Sequence, residues 1–180
     1  LSGGGGADAT GVAVILEAVR ALGARAPFRN DLIVLFTDGE EQGLLGSRAF
    51  VDRHPWMQDV KVVLSVEMRG GGGPSLMFET GAENGWIVRA LDQATPKAYG
   101  FSLGAEVYRR LPNDTDFTPF RLAGVQGLNF GAIGRAQVYH QSFDEPARLD
   151  ERTVQHHGVQ VLAATQVLGE RDLTQVNAAD

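Results

Sequence analysis

The stretch that most constrains the fold is Leu32–Ser47, LIVLFTDGEEQGLLGS. Leu32 to Phe36 form a short continuous apolar run, the pattern of a strand buried on both faces of a helix-covered sheet. Thr37, Asp38 and Gly39 break the run, Glu40 and Glu41 follow at once, and Gly43 to Asp52 read as a short helix. In an open α/β sheet, ligands sit just beyond the carboxyl ends of the strands. Two adjacent carboxylates placed there both reach the crevice, because the turn removes the strict alternation of the strand. One can ligate a metal while the other takes a proton from water. An isolated Glu-Glu pair is more often a solvated acidic turn, since most charged residues are simply exposed. The rest of the chain has to decide.

Val60 to Val66 form a second apolar run, ended by Glu67, Met68 and Arg69, which repeats the pattern of a carboxylate at the end of a strand. Leu76 to Phe78 read as an edge strand, Glu106 to Tyr108 as a short strand, and Val125 to Phe130 as a further strand. Helices are expected from Asp8 or Thr10, either of which could act as the cap, to Leu22, from Asn84 to Leu91, and from Asp150 to Leu168. In the first of these, Val12, Ile15, Leu16, Val19 and Leu22 share a face. Strands alternate with helices along the chain, so the expected class is α/β, a three-layer sandwich with a mixed, mainly parallel sheet.

At 180 residues the chain is expected to be one domain, 1–180, with residues 1–7 glycine-rich and read as an engineered or truncated start. The four-glycine run has no structure of its own and lacks the Gly-Lys-Ser/Thr of a phosphate loop. A net charge of −6 disfavours nucleic acid and anionic membrane surfaces as partners, and no apolar run reaches the roughly 20 residues of a membrane span. With no cysteine, any metal must be held by carboxylate and imidazole. His54 reads as a surface or capping residue. His156 and His157, adjacent rather than four apart in one helix, cannot form a metal pair on one face and read as structural.

Taken together, FTDGEEQGLLGS, EMRGGGGPSLMFETGAENGW, NDTDFTPFRLAGVQGLNF and YHQSFDEPARLD resemble the co-catalytic zinc aminopeptidases, the leucyl aminopeptidase and endoplasmic-reticulum metallopeptidase type. The resemblance covers nearly the whole chain. It implies a zinc-dependent exopeptidase acting on peptide substrates, with Glu40 as general base and Glu41, Glu67 and His140 as zinc ligands. Tyr139 would line the active site. Asp114 and Asp144 are candidates to orient ligands from behind, and each reads equally well as a cap or turn residue. It also implies two zinc ions, a luminal or extracytoplasmic location, and a membrane-anchored parent. Two departures stand out: no His-x-Asp motif precedes the first helix, and the bridging Asp position falls on Ala7. A shifted alignment places Asp8 there instead. These departures leave room for one zinc or none in this chain, and with it two further readings. One is an impaired or inert peptidase scaffold; the other is a single-zinc acyltransferase similar to the glutaminyl cyclases.

Overall fold

The computed structural model describes residues 5–23, 27–142 and 144–174, with the side chains of residues 5–8 outside the description. Six α-helices and three strands follow in the order α1 (Gly5–Leu22), α2 (Leu45–Arg53), β1 (Val62–Met68), β2 (Leu76–Thr80), α3 (Gly85–Ala94), α4 (Ser102–Tyr108), α5 (Phe117–Leu122), β3 (Gln126–Ala132) and α6 (Glu151–Glu170). Among the described residues the sheet has three strands in the order β1-β3-β2. β1 runs parallel to β3 with Val62 opposite Gln126, and β2 runs antiparallel on the other side with a register shift between Met77 and Glu79. The mixed sheet with helices on both faces is the α/β class expected from the sequence.

Alternation along the strands sorts the two faces. Val62, Leu64 and Val66 of β1, with Leu128 and Phe130 of β3, pack against Val14 and Ala18 of α1, Ile87 and Leu91 of α3, and Val161 and Ala164 of α6. Val63 and Val125 face the opposite way, onto Phe50 of α2 and Phe117 and Phe120 of α5. β3 is buried along its whole length, as a central strand with both faces covered must be. A polar pin crosses the first core: the Gln160 amide of α6 donates to Ser75 O at 2.8 Å, and Ser75 Oγ meets His157 Nδ1 at 2.9 Å. His156 Nδ1 accepts from the Ser75 amide at 3.0 Å, so both histidines of α6 are structural, as their spacing predicts. His54 closes α2 and accepts from Trp56 N at 3.2 Å to start a short 3-10 helix, Pro55–Asp59.

Four expectations are corrected. Leu32 to Phe36 make no strand: they are 36–49% exposed, and residues 31–37 pair with none of the described strands. The run has the right composition but bonds no neighbouring strand among the described residues, and a strand exists only through its ladder. Glu106 to Tyr108 lie in α4, where the Tyr108 ring packs edge-on against Phe78 with centroids 4.7 Å apart. That tertiary contact outweighs the strand preference of Val and Tyr. α1 begins at Gly5, so neither Asp8 nor Thr10 caps it, and the glycine run is helical from Gly5 on; Gly3 and Gly4 lie outside the described residues. Finally, α1 buries Val14, Ala18 and Leu22, while Val12, Leu16 and Val19 are exposed. The helix is apolar on more than one side, and its packing on α6 and β1 selected the other stripe. Among the described residues no helix is long and apolar enough to cross a membrane.

Candidate metal centre

The candidate site lies where the carboxyl ends of β1 and of the 31–37 run converge. The loop after Phe36 is fixed by its own backbone. Gly39 sits at φ +71°, in the left-handed region that glycine enters without strain, and its carbonyl accepts from Gln42 N and Leu45 N at 3.2 and 3.1 Å. Glu40 O accepts from Gly43 N and Leu44 N at 3.1 and 2.8 Å, so Glu40 and Glu41 ride on a closed turn. Gly46 N reaches Asp38 O at 2.9 Å, and a Cβ at Gly46 would fall 2.7 Å from the Asp38 backbone. Here the sequence pattern Gly-Glu-Glu-x-Gly-x-x-Gly is a steric requirement of the turn. Thr37 Oγ1 donates a short hydrogen bond to Asp116 Oδ2, which ties this loop to the segment before α5.

His140 arrives from the far side, after β3. Its backbone is left-handed, at φ +57°, and its ring stacks on Tyr139 with centroids 3.8 Å apart and planes 21° apart. That turn aims His140 Nε2 at Glu41 Oε1, and the two are in direct contact, each about half exposed. Glu67, at the end of β1, takes a long hydrogen bond from Ser65 Oγ at 3.4 Å. The Arg69 guanidinium lies 5.6 Å from the centre of the Tyr139 ring. The Tyr139 phenol is pushed up to about 12, chiefly by burial, against the opposing pull of Arg69; the charges of Glu41, Glu40 and Glu67 add to the rise. One tyrosine thus senses Glu40, Glu41 and Glu67 together.

The other candidates fall in different places. Asp144 is buried four residues beyond His140, and its amide donates to Gln141 O at 3.1 Å. Asp114 is exposed, and its charge acts on Glu79. Glu79 is a buried carboxyl raised above its usual range by burial, while a hydrogen bond from Asn129 and the Arg121 guanidinium at 3.0 Å pull it back. Asp8 lies in the first turns of α1, and its side chain lies outside the described residues. Two residues of this region escaped the sequence reading. Arg69 was legible as the position two beyond Glu67, on the same side of the strand. Asp116, rather than Asp114, reaches the Glu40 loop, and nothing in NDTDF distinguishes the two before folding.

The donor chemistry suits zinc: carboxylate oxygen and imidazole nitrogen are its hard and borderline ligands, and Glu41 and His140 already face each other. Among the described residues, no three His, Asp or Glu side chains gather closely enough to enclose an ion. Among the described residues the donors therefore fit a metal as an open pair, with Glu67 at the end of β1.

A family model described as Peptidase family M28 matches residues 3–165. Endoplasmic reticulum metallopeptidase 1 of Rattus norvegicus is 32% identical over 176 residues, 96% of this chain and 20% of that protein. Vacuolar membrane protease of Yarrowia lipolytica is 27% identical over 168 residues, 92% of this chain and 17% of that protein. The chain thus spans about one fifth of the curated relatives it matches. BSAP, a zinc aminopeptidase from Bacillus subtilis, superposes with a TM-score of 0.73 at 20% identity, covering 95% of this chain and 43% of that one. At that identity the likeness is one of fold.

Proposed function

The chain belongs to peptidase family M28, and on that premise we propose that it carries the core of a zinc-dependent aminopeptidase acting on the amino termini of peptides. The observation that carries the reading is the Glu41–His140 contact, which brings together two residues 99 apart in sequence at the mouth of the Glu40 turn. Glu41 and His140 would hold zinc, with Glu67 and Asp8 as further donors. Such an ion supplies a Lewis acid for the scissile carbonyl and lowers the pKa of its water.

The chain's own groups do the rest. Glu40, next to Glu41 on the same closed turn, accepts the proton of the attacking water at its carboxylate and passes it to the departing amine. Tyr139, held at about 12, stays protonated at neutral pH. Its hydroxyl is therefore a donor, suited to the negative charge that builds on the carbonyl oxygen. The stacked Arg69 fixes that ring. Asp144, buried beside the His140 segment, is placed to steady that loop, whereas Asp114 has its electrostatic partner in Glu79.

A second reading has an observation of its own. Ala7, at the position where the resembled family has its bridging Asp, favours a chain that binds metal loosely and turns over slowly or not at all. Hydrolysis of an aminoacyl anilide in the presence of zinc separates the two. The aminopeptidase reading expects measurable turnover that drops at least a hundredfold in Glu40→Gln with zinc binding retained. Absence of turnover in the unaltered chain favours the second. The names of the relatives support a luminal or vacuolar setting and a membrane-anchored longer protein.

A further inference from the structure

One buried carboxylate outside the candidate site is tied to it by a chain of contacts. β2 bulges at Phe78, and the register shift sets Glu79 directly opposite Asn129 of β3. Both side chains are buried. Asn129 gives its two amide hydrogens to separate acceptors, Glu79 Oε2 at 3.0 Å and Thr115 Oγ1 at 2.8 Å. The other oxygen of Glu79, Oε1, meets the Arg121 guanidinium at 3.0 Å. Thr115 stands just before α5, where its carbonyl accepts from Thr118 N at 2.8 Å, and Arg121 lies in the last turn of that helix. Glu79 therefore holds α5 at both ends. A buried charge is costly unless it is paired, so the position of each partner is coupled to that of the other.

The helix in turn braces the Glu40 turn from both flanks. Asp116 occupies the cap position of α5 but makes no cap bond; its Oδ2 accepts from Thr37 Oγ1, just before the turn. Phe120 of α5 packs on Phe50 of α2, the helix that follows the turn, with ring centroids 5.8 Å apart. The segment between Thr37 and Phe50 is thus pinned at each end to one short helix, and that helix is pinned at each end to one carboxylate. We propose that Glu79 is a positioning residue for the turn bearing Glu40 and Glu41, acting through Asn129, Thr115, Arg121 and α5. Hydrogen-bonded networks of this kind respond as a unit, so a change at one member is felt along the row. The inference rests on the aminopeptidase reading of the turn and deepens it: Glu79 works at a distance, by fixing the helix against which the proton acceptor and the metal ligand are held.

The test compares Glu79→Gln with the unaltered chain by amide hydrogen exchange and by zinc titration. Glutamine keeps the shape and still accepts from Asn129, but it turns amide hydrogens towards the Arg121 guanidinium, donor against donor. The amides of residues 42–46 bond back to residues 38–40 and report on the turn, whereas those of 161–164, in the core face of α6, report on global opening. Exchange at 42–46 is expected to quicken at least tenfold relative to 161–164, and the zinc dissociation constant to rise at least tenfold. Thr115→Val removes the other arm of the network and is expected to act in the same direction. Glu106→Gln, in an exposed ion pair with Arg109, loses the same charge and is expected to change neither. Unchanged exchange at 42–46, or quickening shared equally by 161–164, overturns the proposal and leaves Glu79 a stabiliser of the fold alone. So does quickened exchange with an unaltered zinc dissociation constant. If the unaltered chain binds no zinc, the metal reading fails separately and the exchange ratio still decides this proposal. Should Glu79→Gln fail to fold, Thr115→Val decides by the same ratio.

Discussion

Two apolar strand-length segments of this molecule have opposite fates. Gln126–Ala132 is buried at every residue, bonded on both edges and covered on both faces. Leu32–Phe36 is more uniformly apolar, yet it stands a third to a half exposed and outside the sheet. Hydrophobicity is thus a demand for burial, and backbone neighbours decide whether the demand is met. The same lesson repeats within α1. Its Val14 and Ala18 pack into the first core with β1 and α6, whereas its Val12 and Val19 stand exposed.

The largest effect sharpens that contrast. Phe130, fully buried in β3, is expected to cost about 3–5 kcal/mol as Phe130→Ala, from lost transfer energy and the cavity left behind. Leu35→Ala removes a side chain already 36% exposed beside open space, and is expected to cost about 1 kcal/mol or less. Urea unfolding of the two variants checks this, and equal costs would mean that the 32–36 run is packed after all.

A pH effect comes next, and it belongs to the closed side only. His157 is buried against Ser75, and burial first, then the neighbouring His156, pull it from 6.5 to about 4. The folded chain resists the proton that the unfolded chain accepts. Stability is therefore whole above pH 6.5 and is lost as pH falls from 6.5 towards 4, by on the order of 3 kcal/mol. Urea midpoints at pH 7.5 and 4.5 measure it, and His157→Gln is expected to flatten the dependence.

The smallest effect tests the rigidity of the loop that bears the site on the open side. Gly46→Ala forces a Cβ to within 2.7 Å of the Asp38 backbone and is expected to cost about 1–3 kcal/mol. It should also weaken zinc binding, because the turn carrying Glu40 and Glu41 must move. A melting curve and a zinc titration on the same sample read both.

Much of the closed half was legible before any coordinates. β1, β3 and α6 announce themselves by unbroken or periodic apolar runs, and the adjacency of His156 and His157 was enough to read them as structural. Of the candidate site the sequence offered residue types only: Glu40 and Glu41 after a turn, Glu67 at the end of an apolar run, and His140 through a family resemblance. What the chain does not encode locally is partnership. Nothing in LIVLF says which backbone lies beside it, nothing in Glu106–Val107–Tyr108 says that Phe78 will hold Tyr108 on a helix, and nothing in NDTDF separates Asp116 from Asp114. Each depends on segments far away in sequence.

The account's central claim is that Glu41 and His140 form the heart of a zinc site, and metal content tests it most directly. The purified chain is loaded with zinc, dialysed and measured by elemental analysis, alongside Glu41→Gln and His140→Ala. At least one zinc per chain, falling to background in both variants, is the result predicted. No retained zinc, or zinc retained equally by the variants, would contradict it and leave the Glu41–His140 contact as an ordinary surface pair.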